Sequence, residues 1–251
     1  MQKVILITGA TAGFGRSCAY RFASAGWRLI LIGRRHERLA QLQKELSAQT
    51  PVLTIPLDIR QRAEVFKRLE NLPDEFKPVD VLVNNAGLAL GLEPFGEGEV
   101  DNWENMIDTN IKGLLYVTRA ILPGMIERNS GQIINLGSIA GNWSYPGGNV
   151  YGASKAFVNH LSRNLRADLY GKAIRVTCIE PGLAETEFSL VRFKGDQKRA
   201  RQVYEGCQPL TSEDIAEMIY WVANLPPHVN VNSLEVMPTS QTWGNLRVFR
   251  Q

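Results

Sequence analysis

The residues of this chain best suited to chemistry crowd into one stretch, from Gly137-Ser138 to Tyr151-Gly152-Ala153-Ser154-Lys155. The stretch offers a hydroxyl donor, a phenol and an ammonium. The pattern from Val150 through Phe157, Leu161 and Leu165 predicts a helix over 150–171, so Tyr151 and Lys155, spaced i, i+4, share a face and can meet one ligand. A phenol with a pKa near 10 handles protons poorly at neutral pH, and a neighbouring cation favours its phenolate. Lys155 is the expected tuner of Tyr151. The bland alternative is a tyrosine at the edge of the core: with seven tyrosines, about one such chain in four would carry Tyr-x-x-x-Lys by chance.

A second motif changes the weighing. Thr8-Gly9-Ala10-Thr11-Ala12-Gly13-Phe14-Gly15 follows an apolar run and opens a helical pattern, and composition alone would give it in roughly one such chain in a hundred. Small residues there let backbone approach a pyrophosphate at a helix N-terminus, which carries partial positive charge. Thr8, Gly9, Ala10, Thr11, Gly13, Phe14 and Gly15 are therefore candidate cofactor residues. At the end of the second predicted strand, where an acidic residue would hold the 2′-hydroxyl of NAD, stand Gly33-Arg34-Arg35. Guanidinium forks suit the 2′-phosphate of NADP, although such a pair is otherwise solvated surface. Asp58 and Ile59 could hold and cover an adenine, and Asp58 could equally cap a helix. Asn84-Asn85-Ala86-Gly87 has short side chains that either hold a turn or lie beside the cofactor.

These residues need a frame to bring them together. Short apolar runs alternate with helical patterns, which predicts strands near 3–8, 28–33, 52–57, 79–84, 131–137, 173–179 and 233–237. Helices are expected near 14–25, 36–48, 61–71, 100–128, 150–171 and 212–224, with Pro123 and Gly124 kinking or breaking the fourth. Runs such as Val4-Ile5-Leu6-Ile7 and Leu29-Ile30-Leu31-Ile32 are apolar on both faces, as strands covered from two sides must be. The reading is a single α/β domain over 1–251, a doubly wound parallel sheet with helices on both faces. Residues 183–210, after Pro181-Gly182, are the least regular part and are expected to form a substrate loop.

Composition excludes several classes. A net charge of +3 spread along the chain is weak ground for nucleic acid, and 44% hydrophobic residues suffice for a sizeable core. Three cysteines without metal-ligand spacing imply a reducing compartment. No apolar run has the length of a signal-peptide core or a membrane span, so a cytoplasmic protein without nucleic-acid or membrane partners is expected.

Together, Thr8 to Gly15, Asp58, Asn84 to Gly87, Asn110, Ser138, Tyr151-x-x-x-Lys155 and Pro181-Gly182 resemble the short-chain dehydrogenase/reductase family over nearly the whole chain. The resemblance implies strand order 3-2-1-4-5-6-7 in a seven-stranded Rossmann-type sheet. It implies catalysis by Asn110, Ser138, Tyr151 and Lys155, with Ser138 holding the substrate oxygen and Asn110 positioning a water; on residue chemistry alone Asn110 is equally a buried packing amide. Tyr151, Lys155, Pro181 and Gly182 would also touch the cofactor, and a homotetramer is expected. Gly33-Arg34-Arg35, Glu187-Phe188-Ser189, Val191 to Asp196 and the tail from Leu234 to Gln251 look like the bacterial NADP-dependent 3-hydroxy acid dehydrogenases within that family. Arg192 and Lys194 are then candidates to hold a substrate carboxylate. The competing expectations are a reductase of neutral aldehydes or ketones and an NADP-sensing protein without catalysis.

Overall fold

Alternation along the strands divides the core. In β1 (Val4–Thr8), Ile5 and Ile7 face one side of the sheet, while Val4 and Leu6 face the other. Successive side chains of a strand point to opposite faces, so a strand apolar at every position needs a helical layer on each. The computed structural model, which describes residues 2–243, supplies both layers. Residues 244–251 of the tail singled out by resemblance lie outside the described residues.

The other strands are β2 (Arg28–Gly33), β3 (Val52–Pro56), β4 (Val81–Asn84), β5 (Gly131–Leu136), β6 (Ile174–Pro181) and β7 (Ser233–Val236). They form one seven-stranded sheet in the order β3-β2-β1-β4-β5-β6-β7. Every neighbouring pair is parallel. The expected fold class and strand order are therefore observed. On one face α1 (Gly13–Ser24), α2 (His36–Leu46) and α9 (Ser212–Ala223) bury Phe22, Leu39 and Ile219 against Ile5, Leu29 and Leu31. On the other, α3 (Arg62–Leu69) and α5 (Leu114–Glu127) bury Val65, Val117 and Ile121 against Leu6, Ile30 and Leu82. The long α6 (Asn149–Asp168) packs on β6, bringing Tyr151 and Lys155 to the carboxyl ends of the strands.

The helix expected over 100–128 is interrupted, but not where proline predicted. After α4 (Val100–Ile107) the backbone widens into a π turn at Asp108–Gly113 before α5 begins. Pro123 lies within α5, which runs on to Glu127. Pro123 and Arg119, whose carbonyl it leaves without an N–H partner, are both exposed, so water can satisfy that oxygen. The π turn has a different cause: it presents Asn110 to Leu88 and Ser154, as described below.

The segment 183–210 is also more regular than its sequence suggested. It contains α7 (Glu187–Arg192) and α8 (Gln197–Gln202), and a parallel bridge from Ala184 to Leu210 closes its base. Thr186 and Asp196 cap the two helices through their side-chain oxygens.

Candidate active site

The first cleft element is the glycine loop between β1 and α1. Gly9 has φ +66°, and a Cβ there would meet Ala86 Cα at 2.9 Å, while a Cβ on Gly15 would lie 2.4 Å from the Gly9 carbonyl oxygen. The loop can close only around hydrogen at these positions. Thr8 and Asn85 tie it to β4. Thr8 Oγ1 accepts from the Asn85 and Ala86 amides, each at 3.0 Å, and Asn85 Nδ2 donates to the Thr8 and Gly9 carbonyls at 2.8 and 3.2 Å. Thus Asn85 holds the turn, while Ala86 and Gly87 line the cleft. Helix α1 has no side-chain cap on its first turn and no acidic residue there, so its N–H groups face the cleft ready for an anion.

At the far end of the cleft, Arg34 is exposed and lines the wall. Arg35 is committed: Nε and Nη2 donate to Thr11 Oγ1 at 3.0 and 2.9 Å, and Nη1 donates to Glu187 at 2.8 Å. Asp58 is not the cap of α3, a place taken by Gln61. Burial pushes the Asp58 carboxyl up, but Arg60, donating at 2.6 Å, outweighs burial and holds its pKa below the ordinary value. Asp58 and the largely buried Ile59 line the cleft beside Arg34. These residues give a phosphate-friendly, carbon-lined groove of the kind a dinucleotide phosphate requires. It lies beyond the carboxyl ends of β1 and β4, where the strand order reverses.

The other end holds Ser138, Tyr151 and Lys155, all buried or nearly so and all on the cleft wall with Pro181 and Gly182. Lys155 Nζ donates to the Leu136 carbonyl at 2.7 Å, and burial pulls its pKa down to about 8. Ser138 Oγ accepts from the Ala140 amide at 3.1 Å. Burial pushes Tyr151 up to about 12, with Ser138 and Arg192 pulling against it and Tyr145 adding to it. The expectation that Lys155 tunes the phenol is therefore replaced. Its ammonium lies 6.0 Å from the Tyr151 ring centroid, and the nearer cation is the Arg192 guanidinium at 5.5 Å.

Asn110 stands one layer behind. Its Oδ1 accepts from the Leu88 amide at 2.9 Å, and its Nδ2 donates to the Leu88 carbonyl at 2.8 Å and to Ser154 Oγ at 3.0 Å. Ser154 in turn donates to the Tyr151 carbonyl at 2.7 Å. A Cβ on Gly87 would meet Asn110 Oδ1 at 3.3 Å and Lys155 Nζ at 3.4 Å, so Asn110 and Lys155 flank that glycine. Both amide hydrogens and one lone pair of the oxygen thus brace the catalytic helix against the loop after β4.

The two cations proposed for a substrate carboxylate part company. Arg192 donates from Nε to the Gly91 carbonyl at 3.1 Å and from Nη2 to the Tyr145 hydroxyl at 2.8 Å, which seats it beside Tyr151. Lys194 has φ +50° and turns outward to pair with Glu99 at 2.7 Å; both cations line a smaller hollow beside the catalytic cleft, and of the two it is Arg192 whose guanidinium reaches to 5.5 Å from the Tyr151 ring. The Lys194 ammonium reaches a nearer carboxylate on the outer face, so the expected role for Lys194 is withdrawn. Sequence reasoning also missed Tyr145 and Phe188, whose ring centroid lies 5.5 Å from that of Tyr151. Neither sits in a motif; only folding brings them to the phenol.

Among known proteins, the chain is 58% identical over 248 residues to the NADP-dependent 3-hydroxy acid dehydrogenase YdfG of Salmonella typhi, covering 98% of this chain and 99% of that one. It is 55% identical over 251 residues to sulfoacetaldehyde reductase 2 of Chromohalobacter salexigens, covering 100% of both. The closed form of a serine dehydrogenase complexed with NADP+ superposes with a TM-score of 0.96 at 55% identity, covering 99% of this chain and 100% of that one. The sequence profile described as short chain dehydrogenase matches residues 3–196. On fold, glycine cradle and relatives alike, the chain belongs to the short-chain dehydrogenase family.

Proposed function

We propose that this chain is an NADP-dependent oxidoreductase that interconverts short 3-hydroxy acids and their semialdehydes. The observation that carries the substrate class is the guanidinium of Arg192, held by Gly91 and Tyr145 at 5.5 Å from the Tyr151 ring. A cation beside the proton-transfer group suits a small anionic substrate, because its two partners here, a carbonyl and a hydroxyl, leave its charge unbalanced. The relatives named for 3-hydroxy acids and for sulfoacetaldehyde support the same conclusion, since both names imply an acid group.

The loop from Thr8 to Gly15 and the start of α1 would hold the pyrophosphate of NADP, Arg34 and Arg35 its 2′-phosphate, and Asp58 and Ile59 its adenine. Ala86, Gly87, Pro181 and Gly182 would wall the nicotinamide end. The bound cofactor supplies the hydride acceptor or donor. Ser138 donates to the substrate oxygen and holds it beside Tyr151. Tyr151, protonated in the neutral range because burial raises its pKa to about 12, gives that oxygen its proton during reduction and is left as phenolate; oxidation runs from the phenolate, which takes the alcohol proton and becomes the phenol again. The oxygen gains charge as the carbon–oxygen order changes, so preset donors stabilise the transition state more than the ground state. Lys155 adds a positive charge at the nicotinamide ribose, and Asn110 braces the helix that carries both residues.

Segment 183–210 acts as the substrate loop of the single domain. The assembly is a homotetramer, supported by Val100, Ile107, Leu115 and Ile126, which α4 and α5 leave exposed as an apolar face suited to a copy of itself. Free cysteines, two of them buried, suit the cytoplasm, and among the described residues no helix is long and apolar enough to cross a membrane. The test is a panel of serine, 3-hydroxypropionate and neutral alcohols of similar size, each with NADP and NAD. Turnover of 3-hydroxy acids with NADP supports the reading; preference for neutral alcohols assigns a general carbonyl reductase, and no turnover a non-catalytic protein.

A further inference from the structure

Helix α7 carries a carboxylate into the place where the chain gathers its cations. Glu187, its first residue, accepts from Arg35 Nη1 at 2.8 Å through Oε2 and from Arg38 Nη1 at 2.7 Å through Oε1. Burial pushes the Glu187 carboxyl up, but the two arginines outweigh it and hold its pKa below the ordinary value, so it is ionised at neutral pH. Arg35 has its other donors on Thr11, a residue of the glycine loop. Beside this cluster a Cβ on Gly13 would meet Thr186 at 3.3 Å, so the start of α7 sits directly on the cofactor loop.

We propose that Glu187 competes with the 2′-phosphate of NADP for Arg35 and Arg38, and thereby sets how strongly the chain prefers NADP to NAD. The proposal rests on the reading that the adenosine ribose lies at Arg34–Arg35. A carboxylate and a phosphate are both anions and both satisfy guanidinium forks, so at contact distance one must give up donors to the other. A cofactor without the phosphate makes no such demand. It leaves the Glu187 pairs intact. Glu187 therefore opposes one cofactor and tolerates the other.

The consequence reaches the substrate. Helix α7 also carries Phe188, against Tyr151, and Arg192, bonded to Gly91 and Tyr145. When the phosphate displaces Glu187, the tie between α7 and α2 is released at one end, while the other end still borders the phenol.

Equilibrium binding of NADPH and of NADH, followed by calorimetry, tests this on the full chain, on Glu187→Gln and on Arg34→Gln. Glu187→Gln keeps the shape of a half-exposed side chain and removes its charge. It should tighten NADPH about three- to tenfold, the scale of two partly exposed ion pairs, and leave NADH within about twofold. An unchanged or weakened affinity for NADPH overturns the proposal. So does an equal shift for both cofactors, which is the signature of a helix prop. Arg34→Gln reports separately on the ribose end: if NADPH binding is indifferent to it, the placement of the 2′-phosphate fails, whatever Glu187 does.

Discussion

Removing the guanidinium of Arg192 should separate acid substrates from neutral ones. Two of its nitrogens are spent on Gly91 and Tyr145, at 3.1 and 2.8 Å, which leaves Nη1 to meet a carboxylate. A charge-assisted hydrogen bond is worth about 1.5–3 kcal/mol, or about ten- to a hundredfold in kcat/KM. Arg192→Ala should cost 3-hydroxypropionate that factor. It also removes a charge that pulls the Tyr151 pKa down, so phenolate becomes scarcer in oxidation. That second loss falls equally on a neutral primary alcohol, and the ratio of the two substrates isolates the first. Arg192→Lys should recover part of the acid activity, because it restores charge without the planar fork. The assay is initial-rate oxidation of both substrates with saturating NADP. Equal losses for acid and alcohol would refute the anchor and leave Arg192 as a support for the Gly91 turn.

Tyr151→Phe should abolish turnover while NADPH still binds within about twofold by calorimetry, since only the proton-carrying hydroxyl is lost. In oxidation, log kcat/KM should climb with pH through the neutral range, because Tyr151 with a pKa of about 12 gains phenolate as pH rises; a plateau below pH 9 would contradict that environment. Lys155→Met should destroy activity yet raise the melting temperature at pH 7. Its folded pKa of about 8 lies below the unfolded value of 10.5, so burying the ammonium costs about 3 kcal/mol below pH 8, a cost relieved as pH rises towards 10.5. Losing the bond to the Leu136 carbonyl returns about 1 kcal/mol of that gain. Gly15→Ala should lose cofactor binding, because its methyl would lie 2.4 Å from the Gly9 carbonyl oxygen; retention of full affinity would show that the loop relaxes.

The sheet was legible because a strand covered on both faces has no polar positions to confuse the pattern, as in Val4 to Ile7 and Leu29 to Ile32. The glycine loop was legible for a related reason: its residues are demanded by backbone approach, which depends on local chain order. Ser138, Tyr151 and Lys155 were readable from spacing, and folding places all three on one wall. What escaped were relations between distant segments. Lys194 looked as good an anchor as Arg192 until Glu99, far away in sequence, claimed it. Burial of Tyr151 depends on Phe188 and on the packing around α6, so its raised pKa could not be read from a neighbouring lysine. The π turn escaped because proline is visible as a letter, whereas an extra backbone residue in a turn is not.

That π turn decides which way Met106 looks. Met106 and Val117 are about three α-turns apart, and in an uninterrupted helix they would fall nearly on one line. One surplus residue swings the first half about 100° around the axis relative to the second. The two residues accordingly enter different clusters: Val117 joins Leu82 and Ile133 under the sheet, while Met106 joins Ala89 and Tyr151 at the phenol. A single helix thus serves as both a sheet support and a wall of the catalytic pocket. Deleting one residue between Asp108 and Gly113 would make the helix more regular, return Met106 to the sheet-facing line and draw Asn110 off Leu88, so the more ideal helix would belong to the poorer enzyme.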